Sequence, residues 1–167
     1  MVRMGVVGHR WLPDAAATAF VASRCQELLR SVKGDARSVV ALSALAAGSD
    51  TLFAEAAVGL GIPLLAVRPF ERYADDFHSA AARDAYGALW SGADRQVRLA
   101  YRARSQEAYR TAMRWVAERS DVLLAVWDGR PATDPGGTAD TIAHALAMGR
   151  SVLHVDPALR RVVVHGG

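Results

Sequence analysis

The sequence predicts an α/β protein with a Rossmann-like, doubly wound, mainly parallel sheet that carries helices on both faces. Short, nearly continuous apolar runs alternate with segments of helical period, and continuous runs suit parallel strands that are buried on both faces. A repeated strand–helix–strand order then requires right-handed crossovers. The predicted strands are Met4–Val7, Val39–Leu42, Pro63–Val67, Val122–Trp127 and Val152–Val155.

The segments between these runs repeat apolar residues at intervals of three and four, which places each apolar stripe on one helix face. Gly61 and Gly149 follow two of these segments and indicate helix ends. The stretch between the third and fourth runs is less regular, and it predicts a loop, a helix over Asp75–Trp90 and a short strand at Gln96–Ala100. The tail Val162–His165 predicts an edge strand.

The composition is that of a globular protein, with 51% hydrophobic and 22% charged residues among 167. We therefore expect residues 1–167 to form a single domain. The one cysteine, Cys25, excludes an internal disulfide framework and a multi-cysteine zinc site, so we expect no metal and no cofactor. No apolar run reaches the roughly 18 residues that a membrane span needs. We expect a cytoplasmic protein without a membrane partner.

The charge balance gives little information about partners. Lys and Arg number 20 against 17 Asp and Glu, a net charge of +3. Nearly all of the cations are arginines, as in proteins from GC-rich bacterial genomes, and they are spread along the chain. A nucleic-acid binder usually clusters its basic residues, so the sequence predicts that nucleic acid is an unlikely partner.

Ligands of open parallel sheets bind beyond the carboxyl ends of the strands. The first predicted strand ends in a glycine followed by two hydrogen-bond donors, the second runs into a small-residue loop that opens a helix, and the third ends in an arginine. Each feature also has a structural interpretation: a tight turn, a helix N-cap and a solvated arginine. The candidate ligand-binding residues at these ends are Gly8, His9, Arg10, Gly48, Ser49, Asp50 and Arg68.

The fourth strand end is the most informative. Asp128 and Gly129 follow the strand directly, and Asp128 can accept hydrogen bonds from sugar hydroxyls. Gly136, Gly137 and Thr138 then open a helix, a pattern typical of a phosphate or carboxylate cradle. The alternative is a glycine-rich turn with Thr138 as the helix cap. The predicted topology favours the cradle, because it places this loop beside the end of the first strand.

Four segments together resemble the SLOG superfamily, which groups the DNA-processing protein A fold with the LONELY GUY nucleotide phosphoribohydrolases. They are Ser43–Asp50, Gly61–Pro69, Ser120–Gly129 and Pro135–Thr141, and the likeness extends over residues 4–157. The resemblance implies a nucleotide-type small molecule as ligand and a homodimer as the assembly.

One departure bears on activity. LONELY GUY enzymes carry PGGxGTxxE, whose glutamate takes part in cleaving the N-glycosidic bond, and Thr141 stands where that glutamate should be. The resemblance therefore implies a sensor-like domain that binds a nucleotide or nucleotide derivative rather than an enzyme. Two alternatives stay open. One is an N-glycosidase, phosphoribohydrolase or deoxyribosyltransferase acting on nucleoside monophosphates, with Glu55 or Asp140 as a displaced acid or base. The other is single-stranded DNA binding, as the likeness to DNA-processing protein A implies.

Overall fold

The computed structural model of the chain describes residues 1–131 and 137–166. Seven strands form one sheet in the order β4-β3-β2-β1-β5-β6-β7. Every neighbouring pair is parallel except β6 and β7, which are antiparallel. This confirms the predicted Rossmann-like α/β fold. The strands are β1 Val2–Gly8, β2 Val39–Ser43, β3 Leu64–Arg68, β4 Arg95–Arg98, β5 Val122–Val126, β6 Ser151–Asp156 and β7 Arg161–His165.

Five helices cover the sheet from both sides. One core layer lies under α1, α2 and α3 and contains Val21, Cys25 and Phe53. The other lies under α4 and α5 and contains Val116 and Ile142. The helices are α1 Ala15–Asp35, α2 Ser49–Gly59, α3 Ala80–Gly92, α4 Gln106–Arg119 and α5 Thr138–Ala147.

The helix predicted over Asp75–Trp90 is wrong in its first five residues. Tyr73–Asp76 is a 3₁₀ turn, and α3 begins only at Ala80. The Ser79 hydroxyl accepts a hydrogen bond from the Ala82 amide at 3.1 Å, which is an ordinary helix N-cap. A capping residue inside the apolar pattern therefore marks the true start of the helix.

The two weaker strand predictions are confirmed with small shifts. The strand expected at Gln96–Ala100 is β4, and the edge strand expected at Val162–His165 is β7. Gly61 and Gly149 follow the ends of α2 and α5 with φ of +64° and +71°. Such left-handed backbone favours glycine, so these two predicted helix ends are also confirmed.

Candidate functional site

The strand order reverses between β1 and β5, so the ends of these two strands form the topological switch point of the sheet. Gly8 is the last residue of β1. A Cβ on Gly8 would lie 2.8 Å from the Val126 carbonyl oxygen and 3.0 Å from the Ser49 Cβ. Gly8 therefore allows β1, β5 and α2 to meet closely at this point.

Gly48 and Ser49 hold the segment that follows β1. The Ser49 hydroxyl donates to the His9 carbonyl at 2.8 Å, and the Ser49 amide donates to the same oxygen at 3.3 Å. Gly48 has φ of +79°, and a Cβ there would collide with the carbonyl oxygen of Arg10. These residues position His9 and Arg10 at the end of β1.

The start of α2 is less open to an anion than the sequence suggests. Besides the Ser49 amide, the Thr51 amide donates to the Ala46 carbonyl at 3.2 Å, and the Leu52 amide donates to the Gly48 carbonyl at 3.0 Å. Three amides of the first helical turn are thus already bonded within the protein. The phosphate-binding role predicted for this loop has little support from its geometry.

A cavity of roughly 170 Å³ opens beside the ends of β1, β2 and β3. Most of its wall is apolar and comes from β1, from the loop after β2 and from α4, with Val7, Ala44 and Met113 as examples. Its polar wall residues are Arg10, Asp50, Tyr73 and Tyr109. An apolar cavity with a few polar groups at a switch point is the usual form of a small-molecule site.

Asp50 is a buried acid in this wall, with only 5% of its surface exposed. Its Oδ2 accepts a hydrogen bond from the Ala46 amide at a long 3.4 Å. Burial raises the pKa of Asp50 to about 7, although the Ala46 amide, Arg10 and the Ala44 amide act in the opposite direction. A carboxyl group with a perturbed pKa in a cleft is a candidate functional group.

Arg10 enters an ion-pair network centred on Asp76. The Arg10 Nη1 lies 2.7 Å from one Asp76 carboxylate oxygen, and the Tyr109 hydroxyl donates to the same oxygen at 2.6 Å. The Arg104 Nε lies 3.2 Å from the other oxygen. Burial would raise the pKa of Asp76, but these partners outweigh it and hold that pKa below its ordinary value. Two guanidinium groups share one carboxylate, so this network carries one net positive charge.

Aromatic side chains hold the Asp76 segment in place. Tyr73, which is 1% exposed, makes edge-to-face contacts with Phe70, Phe77 and Tyr86 at ring distances of 5.3 Å. The Arg10 guanidinium lies over the Tyr109 ring at 4.5 Å. The sequence reasoning missed this cluster and Asp76. The available signal is the seven aromatic residues among the forty positions 70–109.

His9 and Asp128 connect the ends of β1 and β5. The His9 Nε2 lies 3.3 Å from an Asp128 carboxylate oxygen and accepts a hydrogen bond from the Asp128 amide at 3.2 Å. Burial opposes the charge of Asp128, but the Arg130 amide and His9 keep its pKa below the ordinary value. Gly129 follows with φ of +80°. The structure thus brings the predicted residues at these two strand ends together.

The predicted anion cradle at the start of α5 lies partly outside the described residues, since Gly136 is not among them. Gly137 is the N-cap of α5, and no side chain caps the helix there. Its carbonyl accepts hydrogen bonds from both the amide and the hydroxyl of Thr141, each at 3.1 Å. Thr141 is 2% exposed. Thr138 is therefore the first residue of α5 and not its cap, as the alternative interpretation of this loop as a glycine-rich turn required.

Arg68 lies apart from this cavity wall. Its guanidinium is 5.5 Å from the centre of the Trp90 ring, and the Arg98 guanidinium is 5.6 Å from the same ring. The two acid or base candidates are exposed. Glu55 lies on α2 beside a shallow second cavity that Arg10 also lines, and Asp140 lies in the first turn of α5.

Two other classes of site were sought in the described part of the chain. Across residues 1–131 and 137–166, no three His, Cys, Asp or Glu side chains are grouped to hold a metal ion. None of the helices in those ranges combines the length and hydropathy needed to cross a membrane. Burial raises the pKa of the core thiol Cys25 to about 12, with a further contribution from Asp50.

Neither a family model nor a curated protein matches the sequence. Solved structures do match. DNA processing protein A (DprA) from Streptococcus pneumoniae superposes with a TM-score of 0.66 at 21% identity, over 92% of this chain and 50% of that one. DprA from Helicobacter pylori, described for its single-stranded DNA binding mode, gives 0.65 at 14% identity, over 92% and 64%. The protein TM1055 gives 0.57 at 16% identity, over 91% and 72%.

These likenesses concern the fold, since all three identities are low. The chain spans half the length of the S. pneumoniae protein and about two thirds of the H. pylori protein. Each superposition covers more than nine tenths of this chain. The chain therefore has the SLOG-type Rossmann fold that these proteins share.

Proposed function

We propose that the protein binds a nucleotide or nucleotide derivative at the carboxyl ends of β1, β2 and β5. The observation that carries the proposal is the apolar cavity with Arg10 and Asp50 in its wall. A cavity of roughly 170 Å³ is smaller than the about 300–1,000 Å³ of sites that enclose a whole drug-sized ligand. It suits one ring of a larger ligand whose remainder lies outside.

Charge supports a phosphate beside this ring. The Arg10–Asp76–Arg104 network has one positive charge in excess. The start of α5 offers its helix dipole, and no side chain caps it. A base in the cavity and a phosphate near Gly137, Thr138 and Arg10 would use both features. Asp128 follows β5 and precedes α5 in the sequence. Its carboxylate is suited to accept hydrogen bonds from the ribose hydroxyls.

Hydrolysis is not part of this proposal. Cleavage of an N-glycosidic bond develops positive charge on the ribose, and a positioned acid or base contributes about 10²–10⁴ in rate. Thr141 has no charge to offer, and its hydroxyl is bonded to the Gly137 carbonyl. Glu55 and Asp140 are exposed. The enzymatic alternative therefore lacks a buried carboxylate at the position that the resemblance indicates.

A single nucleic-acid strand is the second candidate ligand. The sequence argues against it because the arginines are spread along the chain, but the fold weakens that argument. Arginines that are distant in the chain meet at one sheet edge, where Arg68 and Arg98 flank Trp90. Arg95 lies on the same exposed edge strand, β4. Arginine beside an aromatic ring is a common way to hold single strands. One neighbour in fold is described for single-stranded DNA binding. The predicted homodimer and the cytoplasmic location stay predictions.

The proposed function is tested with AMP, CMP, GMP and UMP in a thermal-shift screen, followed by calorimetry on two variants of Gly137. Gly137→Asp places a carboxylate at the α5 start, and Gly137→Asn is its neutral control of the same shape. Gly137 has φ of −77°, and both replacements are good N-caps, so both should fold. A ligand at 100 times its Kd stabilises the fold by about 2.7 kcal/mol.

The proposal expects Gly137→Asp to lose at least tenfold in nucleotide affinity, while Gly137→Asn stays close to the wild type. Absence of any nucleotide-induced stabilisation in the wild type contradicts the proposed function. Equal nucleotide affinities of the two variants would mean that the phosphate does not bind at the start of α5.

A further inference from the structure

Asp50 differs from the other acid near the cavity in how its carboxyl group is satisfied. Asp76 is bonded by three side chains, namely Arg10, Arg104 and Tyr109. Asp50 is bonded by backbone amides of its own loop, those of Ala46 and Ala44, and the described side chains give it no hydrogen bond. It nevertheless lies in the cavity wall and is almost completely buried. Its remaining hydrogen-bonding capacity therefore faces whatever fills the cavity.

The surroundings of Asp50 favour the neutral acid. Burial among apolar groups is the largest influence on its carboxyl, and Arg10, the one cation acting on it, is itself paired with Asp76. Filling the cavity with an apolar ring removes water and strengthens that preference. The titratable groups that act on Asp50 or line the same cavity are Arg10 after β1, Cys25 on α1, Tyr73 in the 3₁₀ turn and Tyr109 on α4.

A neutral carboxyl group presents a hydroxyl donor beside a carbonyl acceptor, whereas an ionised one presents two acceptors. The first pattern is complementary to an acceptor next to a donor, such as the ring nitrogen and amino group of adenine and cytosine or the carbonyl and ring N–H of uracil. The second is complementary to a ring N–H next to an amino group, as on guanine. Adenine, cytosine and uracil therefore pair with Asp50 only in its neutral form, whereas guanine can pair with either form.

We propose that Asp50 contacts the base at this site and that its neutral carboxyl pairs with an acceptor and an adjacent donor on the edge of the ring, as adenine, cytosine and uracil present them. This inference rests on the proposed nucleotide function. Two contacts form together: the Asp50 hydroxyl donates to the acceptor on the ring edge, and the Asp50 carbonyl accepts from the neighbouring N–H group. The apolar wall from Val7, Ala44 and Met113 then encloses the ring.

The test is calorimetric titration of AMP, CMP, GMP and UMP at pH 7, 8 and 9 with the wild type and with Asp50→Asn. Asparagine is a close isostere of the neutral acid and keeps one donor beside one acceptor at every pH. Asp84→Asn, which removes an exposed acid from α3, is the matched control. Between pH 7 and 9 the neighbours keep their protons, since the pKa of Cys25 is about 12 and those of Tyr73 and Tyr109 are raised.

Only the protonated fraction of Asp50 binds in this account. With a pKa of about 7, the apparent affinity of the wild type for AMP should fall roughly 50-fold from pH 7 to pH 9. Asp84→Asn should show the same fall. Asp50→Asn should bind AMP at pH 7 within a few-fold of the wild type and lose the pH dependence. CMP and UMP should show the same fall in affinity as AMP, whereas the affinity for GMP, which also fits the ionised acid, should fall less.

Three results would overturn the inference while leaving the proposed function intact: wild-type AMP affinity that is constant from pH 7 to 9, a GMP affinity that falls as steeply as that for AMP, or loss of AMP binding in a folded Asp50→Asn. The wild-type pH series needs no variant, so it decides the matter even if Asp50→Asn fails to fold. If the wild type binds none of the four nucleotides, the proposed function fails, and the inference fails with it.

Discussion

Arg10 lies two residues after β1 and Arg68 is the last residue of β3, and the sequence makes both of them candidate phosphate ligands. The structure gives them different neighbours. Arg10 is held by Asp76 and Tyr109 beside an apolar cavity, whereas Arg68 lies over Trp90 with Arg98 near the edge strand β4. An arginine at a strand end thus belongs to the proposed small-molecule site at β1. At β3 it belongs to an open basic surface.

The first way to sharpen this comparison is through stability. Tyr73→Ala should cost about 3–5 kcal/mol of unfolding free energy, because Tyr73 is 1% exposed and lies in a cluster of aromatic rings. Trp90→Ala should cost clearly less, since Trp90 is only half-buried. Chemical denaturation of both variants measures the difference. Equal losses would mean that the two regions are packed alike.

The second prediction concerns pH. The pKa of Asp50 is raised from 3.8 to about 7 in the folded chain, so the folded state holds a proton that the unfolded state has lost over that range. Its contribution to stability is fully present below pH about 4 and is lost as the pH rises to about 7. The loss is at most about 4 kcal/mol. The Asp50→Asn variant should not show this loss of stability.

Denaturation of the wild type and of Asp50→Asn at pH 5 and pH 8 checks this sign. The variant should gain stability relative to the wild type at the higher pH. Comparing the two proteins cancels the opposite pH dependence of Asp76, Asp121 and Asp128, whose pKa values are lowered. A difference that is constant between the two pH values would mean that Asp50 is ionised in the folded state.

The third and smallest effect is expected at the β4 edge. If a single strand binds there, Arg98→Ala should weaken binding of an oligothymidine modestly and reduce the slope of log affinity against log salt by about 1. Arg10→Ala should leave that slope unchanged. Fluorescence anisotropy over a salt series gives both slopes. A smaller slope for Arg10→Ala would place the strand in the cavity region.

The sequence predicts the sheet well and the site only in part. Continuous apolar runs are read locally, so β1, β2, β3, β5 and β6 are located to within one or two residues. The interactions that complete the site join distant positions. Arg10 meets Asp76 across 66 residues, and Tyr109 meets it across 33. No local pattern carries such pairs, and the predicted helix over Asp75–Trp90 concealed the 3₁₀ turn that presents Asp76.

Some residues at the strand ends that the sequence makes ligand-binding candidates position other residues instead. Ser49 was predicted to contact a ligand, but its hydroxyl and its amide both bind the His9 carbonyl. Gly8 and Gly48 are required for close approach of backbones at the switch point. Residue type alone cannot separate a group that binds a ligand from one that positions its neighbour.

The most direct test of the central claim is calorimetric titration of AMP and adenosine into the wild type, Arg10→Ala and Arg68→Ala. Asp76 keeps Arg104 and Tyr109 when Arg10 is removed, and melting temperatures check that both variants fold. A charge-assisted hydrogen bond contributes about 1.5–3 kcal/mol, so Arg10→Ala should bind AMP roughly 10–150-fold more weakly. Its affinity for adenosine should change little, and Arg68→Ala should match the wild type for both ligands. Loss of AMP binding in Arg68→Ala with full binding in Arg10→Ala would contradict the account and move the site to the β4 edge.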